Sequence, residues 1–255
     1  MEEFYRAFYT AVPHSQAHRL FCERVFGLDL AQHGFADVAQ LDLLAQTTGL
    51  GPAVRALDLG CGNGLIAEYL SDRSGAHITG LDYMPHAIAQ AQRRTAGKAD
   101  RLAFMVGDIN RLALPAGAFD VILSMDSMYF SADYAATIGA LRAALRPAGQ
   151  MGILFSHGRE PWVPIAEFPK ETLPADKTPL AKALQAHGLA FRALDLTRQE
   201  YELALRRKAV LAELRALFVA EGNRFIYDNR MGDAHGISQA IEAGLHARYL
   251  YHVQL

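Results

Sequence analysis

Between Val54 and Gly64 the chain reads Val-Arg-Ala-Leu-Asp-Leu-Gly-Cys-Gly-Asn-Gly. The run up to Leu59 is short and mostly apolar, as a buried strand is. Glycines at 60, 62 and 64 follow, and then Leu65, Ile66, Tyr69 and Leu70 recur at helical spacing. A strand, a glycine turn and a helix in that order point to an α/β sheet with a nucleotide-type site. The turn lets a ligand reach the backbone, and the helix start offers unpaired N–H groups.

Asp58 narrows the ligand. A carboxylate at the strand end is a poor neighbour for a pyrophosphate and a good partner for an ammonium group or N–H donors. On these residues the stretch resembles the first motif of the class I S-adenosylmethionine-dependent methyltransferases of small-molecule type, Asp-x-Gly-x-Gly-x-Gly, matched in full by Asp58, Gly60, Gly62 and Gly64. Gly62-x-Gly64-x-x-Ala67 also fits a loose dinucleotide fingerprint. A nicotinamide-dependent oxidoreductase is therefore the alternative, together with a non-catalytic S-adenosylmethionine-binding protein. The resemblance implies a Rossmann-like sheet of seven strands, a helical N-terminal cap, a C-terminal lid insertion, and S-adenosylmethionine as cofactor. It adds Cys61 and Asn63 to the cofactor-binding loop.

The strands that follow end in polar residues. His77 to Leu81 reads as a strand that ends in Asp82, 18 residues after Gly64, where an acid accepts two ribose hydroxyls. Tyr83 and Met84 are expected to line the adenine, and Pro85 opens a helix running to about Arg94. Leu102 to Val106 is a third strand, followed by Asp108 and Ile109, which the resemblance places at the adenine amino group and ring. Phe119 to Ser124 is a fourth, and the family sets the methionine end of the cofactor beside Ser124 and Met125. Tyr129 follows as an orienting group for the acceptor. Hydride transfer accounts for Asp82 but not for Asp58 or Asp108.

Asp133 can cap a helix that stops at Arg146-Pro147-Ala148-Gly149, and Met151 to Phe155 is a fifth strand. Trp162 to Pro179, with four prolines, reads as a loop. A short helix from Leu180 to His187 and a sixth strand from Ala190 to Leu196 come next. Thr197-Arg-Gln-Glu200 has the form of a capping box for a long amphipathic helix whose Arg206, Arg207 and Lys208 form a solvated face. Residues 221–230 show no clean period, Ile237 to Leu245 looks helical, and Arg248 to Val253 closes the sheet. Residues 1–50 are expected to form the cap, residues 51–255 the cofactor-binding domain, and 197–235 a helical lid. In the cap, Gln32 to Asp37 has no hydrophobic period and reads as an ordered loop. His33 is the first candidate for a catalytic base, with His14 and His18 in reserve, because histidine titrates near neutral pH.

The chain has 255 residues, half of them hydrophobic, enough for one α/β domain with additions. A net charge of −2 argues against general attraction to nucleic acid or an anionic membrane. The two cysteines, Cys22 and Cys61, form no disulfide framework or metal-ligand pattern in the sequence, and no metal is expected. No signal peptide and no run of about 18 apolar residues is visible, so a cytoplasmic protein is expected. The loop after the fourth strand lacks the Asn/Asp-Pro-Pro-Tyr signature of enzymes acting on nucleic-acid or protein nitrogen. The expected partner is a small-molecule acceptor, methylated on oxygen, nitrogen or carbon.

Overall fold

The run from Arg55 to Leu59 becomes an interior strand of a sheet covered on both faces, which is why Ala56 to Leu59 are all buried. The computed structural model describes residues 2–159 and 162–255. Three helices precede the sheet: α1 (Glu2–Ala11), α2 (Gln16–Phe26) and α3 (Val38–Thr47). Alternation follows, with β1 (Arg55–Leu59), α4 (Leu65–Ser74), β2 (His77–Asp82), α5 (Pro85–Arg94), β3 (Leu102–Val106), β4 (Phe119–Met125), α6 (Tyr134–Ala144) and β5 (Leu145–Gly158). The chain continues through α7 (Pro179–Ala186), β6 (Ala190–Asp195), α8 (Thr197–Ala220), α9 (Arg224–Glu242) and β7 (His246–Gln254).

The strands form one sheet in the order β3-β2-β1-β4-β5-β7-β6. The first five run parallel, and β7 lies antiparallel between β5 and β6. This is a Rossmann-like sheet of seven strands, as expected. The order reverses beside β1, so β1 and β4 open a crevice at their carboxyl ends.

Three elements differ from the sequence reading, each for a physical reason. β5 extends to Gly158 because β7 pairs with it along its length, out to His246. Thr197 is not a cap: its Oγ1 accepts from the Arg248 amide at 3.1 Å, and Glu200 turns inward to Arg207. Arg207 is therefore fully buried rather than solvated. The stretch 221–230, read as aperiodic, belongs mostly to α9. Its buried residues are Ile226, Arg230, Ala234 and Ser238, evenly spaced by one helical turn, but two of the four are polar, so no hydrophobic period is visible.

Helices α8 and α9 pack against α2 and close an apolar cluster with Phe8, Phe21, Phe26, Leu211, Phe218 and Ile226. Met84 and Ala87 of the β2–α5 junction join the same cluster. Helices α1 and α2 and the α8–α9 pair are thus one body, resting on the sheet beside the glycine turn, while α3 packs its Leu41 and Leu44 into the sheet's own core.

A chain of buried charges ties that body to the sheet. Arg248 of β7 donates from Nη1 and Nη2 to both carboxylate oxygens of Asp126, at 2.6 and 3.1 Å. Its Nε lies 3.4 Å from Glu200 Oε2, and Arg207 Nη2 donates to Glu200 Oε1 at 2.5 Å. Asp126 Oδ2 also accepts from the Phe35 amide at 2.7 Å. Burial alone would lower the Arg248 pKa, but the Asp126 and Glu200 carboxylates hold it above its ordinary value. Two cations and two anions balance, and removing one leaves the rest uncompensated. Arg248→Met should cost about 3–5 kcal/mol of unfolding free energy, measured by urea denaturation followed by circular dichroism. A loss below about 1 kcal/mol, as at a surface ion pair, would contradict this account.

Candidate functional site

The glycine turn lies at the tip of β1, and each glycine has its own reason. Gly60 takes φ 79°, and a Cβ there would overlap Ser127 of the β4 tip. Gly62 takes φ 55° with the Tyr9 hydroxyl of α1 directly against it. At Gly64 a Cβ would strike Phe104 of β3, so this glycine serves helix–sheet packing rather than a ligand. The Gly62 amide donates to Asp82 Oδ2 at 2.8 Å and the Met84 amide to Oδ1 at 2.9 Å. The turn and the β2 tip are thereby held in fixed register.

A cavity of about 360 Å³ opens above these tips, a size suited to a small ligand. Of the cofactor candidates, Gly60, Cys61, Gly62, Asn63, Asp82, Tyr83, Met84, Asp108, Ile109 and Met125 line it. Asp108 Oδ1 also accepts from the Asn110 amide at 2.9 Å, a turn cap that leaves Oδ2 available. Three candidates lie outside the wall: Gly64, Ser124 and Asp58. Ser124 is buried in the sheet, its Oγ 2.7 Å from Ser127 Oγ, which donates to the Leu59 carbonyl.

Asp58 is completely buried, and neither carboxylate oxygen has a hydrogen-bond partner among the described residues. Burial, reinforced by the nearby Asp82 carboxylate, pushes its pKa up to about 7. Unpartnered buried carboxylates are costly, and this one sits directly under the glycine turn. It fits a ligand that brings positive charge to this end of the cavity.

The acceptor-side candidates separate. His33 lines the cavity, with its Nε2 3.2 Å from the Asn229 side-chain oxygen of α9. That oxygen only accepts, so Nε2 carries the proton and Nδ1 is the free acceptor. Burial first, then the Arg230 guanidinium, lowers the His33 pKa to about 3, so the ring is neutral at physiological pH. It is a much weaker base than the sequence suggested. Phe4, Tyr5 and Phe8 hold it edge to face at 5.5, 5.0 and 5.2 Å. Tyr129 is 37% exposed and packs on Phe130 instead of lining the cavity. His14 lies on a separate surface groove with Arg19 and His86. His18 is fully buried behind His33, with Nε2 3.3 Å from Arg230 Nη2.

Several wall residues escaped the sequence reading. Tyr5 and Tyr9 of α1 face the cavity, as do Asp126, Ser127 and Phe130. Asp126 takes φ 55°, a strained conformation for a non-glycine residue, and its Arg248 pairing holds it there. Its position immediately after the β4 tip was the available signal. The structure also brings His18, Cys22 and Asp29 together, with donor atoms within 4.8 Å of one another. The Arg230 guanidinium against His18 opposes a cation there, and burial raises the Cys22 thiol far above its ordinary pKa. The sequence reading found no such cluster because Asp29 lies beyond the helix that holds the other two.

The Asp58 pKa makes a testable statement about pH. The folded protein keeps a proton that the unfolded chain releases near pH 4, so stability falls as pH rises from about 4 to about 7. Asp58→Asn should remove that slope and stabilise the ligand-free protein at pH 8 by up to about 4 kcal/mol. Urea titrations of both proteins at pH 5 and pH 8 measure it, and equal slopes would contradict the assignment.

Residues 56–149 match the family model described as a methyltransferase domain. Over 167 residues the chain is 29% identical to phosphoethanolamine N-methyltransferase 1 of Arabidopsis thaliana, a match covering 64% of this chain and 33% of that protein. Over 175 residues it is 28% identical to the demethylmenaquinone methyltransferase of Beutenbergia cavernae, covering 69% of each. The chain spans about a third of the length of the first curated relatives it matches. Among solved structures, phosphoethanolamine N-methyltransferase 2 of Haemonchus contortus, in complex with phosphomonomethylethanolamine and S-adenosylhomocysteine, is similar with a TM-score of 0.77. That match covers 98% of this chain and 60% of the other at 18% identity, which establishes a common fold.

Proposed function

Proceeding from a chain with the class I methyltransferase fold and a methyltransferase domain at residues 56–149, we propose that it transfers a methyl group from S-adenosylmethionine to a small-molecule acceptor. The acceptor atom is oxygen, nitrogen or carbon, and S-adenosylhomocysteine is the product. One observation carries the reading: the glycine turn, Asp82 and Asp108, on three adjacent strand tips, face a single cavity. No helix among the described residues is long and apolar enough to cross a membrane.

When bound, S-adenosylmethionine supplies an electrophilic methyl on a sulfonium. The chain's own residues do the rest. Asp82 keeps unused lone pairs beyond its two backbone donors and accepts the ribose hydroxyls. Asp108 accepts from the adenine amino group, while Tyr83, Met84 and Ile109 enclose the ring. Gly60, Cys61 and Gly62 allow close backbone approach, and Asp58 balances positive charge at the methionine end. Met125 and Asp126 line the methyl-transfer end. The helices before residue 50 act as a cap, and residues 197–235 of α8 and α9 as a lid that pins the cap loop. Together they exclude water and position the acceptor, the main requirements of an in-line displacement. His33 orients the acceptor as a neutral hydrogen-bond acceptor.

Calorimetry with S-adenosylhomocysteine and with NAD tests the cofactor. Binding of the first alone is expected. Asp82→Ala should weaken it by about 1–3 kcal/mol, because two hydroxyls lose their acceptor, and Gly62→Val should weaken it by steric exclusion. Wild-type affinity in both variants would displace the cofactor from this site. For His33, kcat should show no imidazole titration between pH 6 and 9 in the wild-type protein. His33→Ala should lower kcat without changing that profile. A wild-type inflection near pH 6.5 that vanishes in His33→Ala would make His33 a base after all.

A further inference from the structure

The cavity has an acceptor end as well as a cofactor end, and its chemistry is selective. No lysine or arginine is among the described residues that line it. Phosphate recognition ordinarily calls for arginine, lysine or a free helix N-terminus. The α4 N-terminus faces the cofactor end through the glycine turn.

The nearest cations sit behind the wall and are already engaged. Arg230 donates to the backbone carbonyls of Gln32 and His33, with its guanidinium over the rings of Phe8 and Phe21. Arg248 is committed to Asp126. Neither group reaches the cavity surface, and freeing one would break buried hydrogen bonds.

A protonated amine fares no better. Among the described residues four carboxylates line the cavity: Glu2, Asp82, Asp108 and Asp126. Asp82 and Asp108 serve the cofactor in the reading above, and Asp126 is neutralised by Arg248. Glu2 is turned to Arg6 on the exposed side of α1 at 2.8 Å. Among the described residues the acceptor end therefore has no uncommitted anion to hold an ammonium, and the cofactor's sulfonium would repel one at short range.

What faces the acceptor is neutral and aromatic. Tyr5 and Phe130 stand edge to face at 6.2 Å, and His33 lies 5.0 Å from Tyr5 with its ring uncharged and Nδ1 free to accept. Burial pushes the Tyr5 pKa up to about 12, so its phenol also stays neutral.

Resting on the methyl-transfer reading above, we propose that the acceptor is an uncharged small molecule with an aromatic or apolar body, held between Tyr5, His33 and Phe130, and that phosphorylated acceptors are rejected.

The test uses the full chain saturated with S-adenosylhomocysteine, after calorimetry has shown that this product binds. Two matched pairs are titrated: 2-naphthol against 2-naphthyl phosphate, and phenol against phenyl phosphate. The uncharged member of each pair should bind at least about tenfold tighter, since a dianion entering this wall finds no cationic partner. Phe130→Arg, confirmed as folded by its thermal melt, should reverse the order by placing a guanidinium in the wall. Tighter binding of the phosphates to the wild-type protein would overturn the proposal, and so would the absence of binding by both uncharged compounds. Failure to bind S-adenosylhomocysteine at the outset would instead overturn the cofactor reading on which it rests.

Discussion

The buried pair between Arg248 and Asp126 connects parts of the chain that must agree for a site to exist. Asp126 directly follows the central strand β4, Arg248 lies on β7, and the same carboxylate receives the amide of Phe35 from the cap loop. Glu200 and Arg207 extend the network into α8. Ionic groups this deep are stable only when all are paired. The pairing therefore fixes the cap loop against the strand tip and keeps Asp126 in a left-handed conformation it would not adopt alone.

Above that foundation the two ends of the cavity follow different logic. The cofactor end is made of backbone and acids on three strand tips, with Asp58 left unpartnered beneath. The proposed acceptor end is made by tertiary packing: aromatic side chains of α1, the loop through His33, and Phe130 after β4. Asn229 and Arg230 from α9 hold that loop from behind, through the His33 ring and the backbone carbonyls of Gln32 and His33. Movement of α9 would therefore alter the acceptor end directly and leave the glycine turn in place.

This division explains what could be read from the chain before its structure. The glycine turn, Asp82 and Asp108 are local signals, each a short run ending in a polar residue, and the fold follows from them. The Arg248–Asp126 pair joins residues 122 apart and leaves no local trace. Helix α9 hid because its buried stripe includes Arg230 and Ser238. Arg207 looked like part of a solvated charge run because its partner, Glu200, resembled a helix cap. His33 was legible as a polar loop residue facing chemistry. Its depressed pKa was not, since that comes from burial and from an arginine nearly 200 residues away.

The central claim is that this cavity binds S-adenosylmethionine and its demethylated product across the tips of β1, β2 and β3. A crystal structure of the protein with S-adenosylhomocysteine tests it most directly. The account predicts ribose hydroxyls on the Asp82 carboxylate, adenine between Met84 and Ile109 with its amino group at Asp108, and the amino-acid end over the turn above Asp58. Adenosine bound elsewhere, or in the reverse direction along the strand tips, would contradict it.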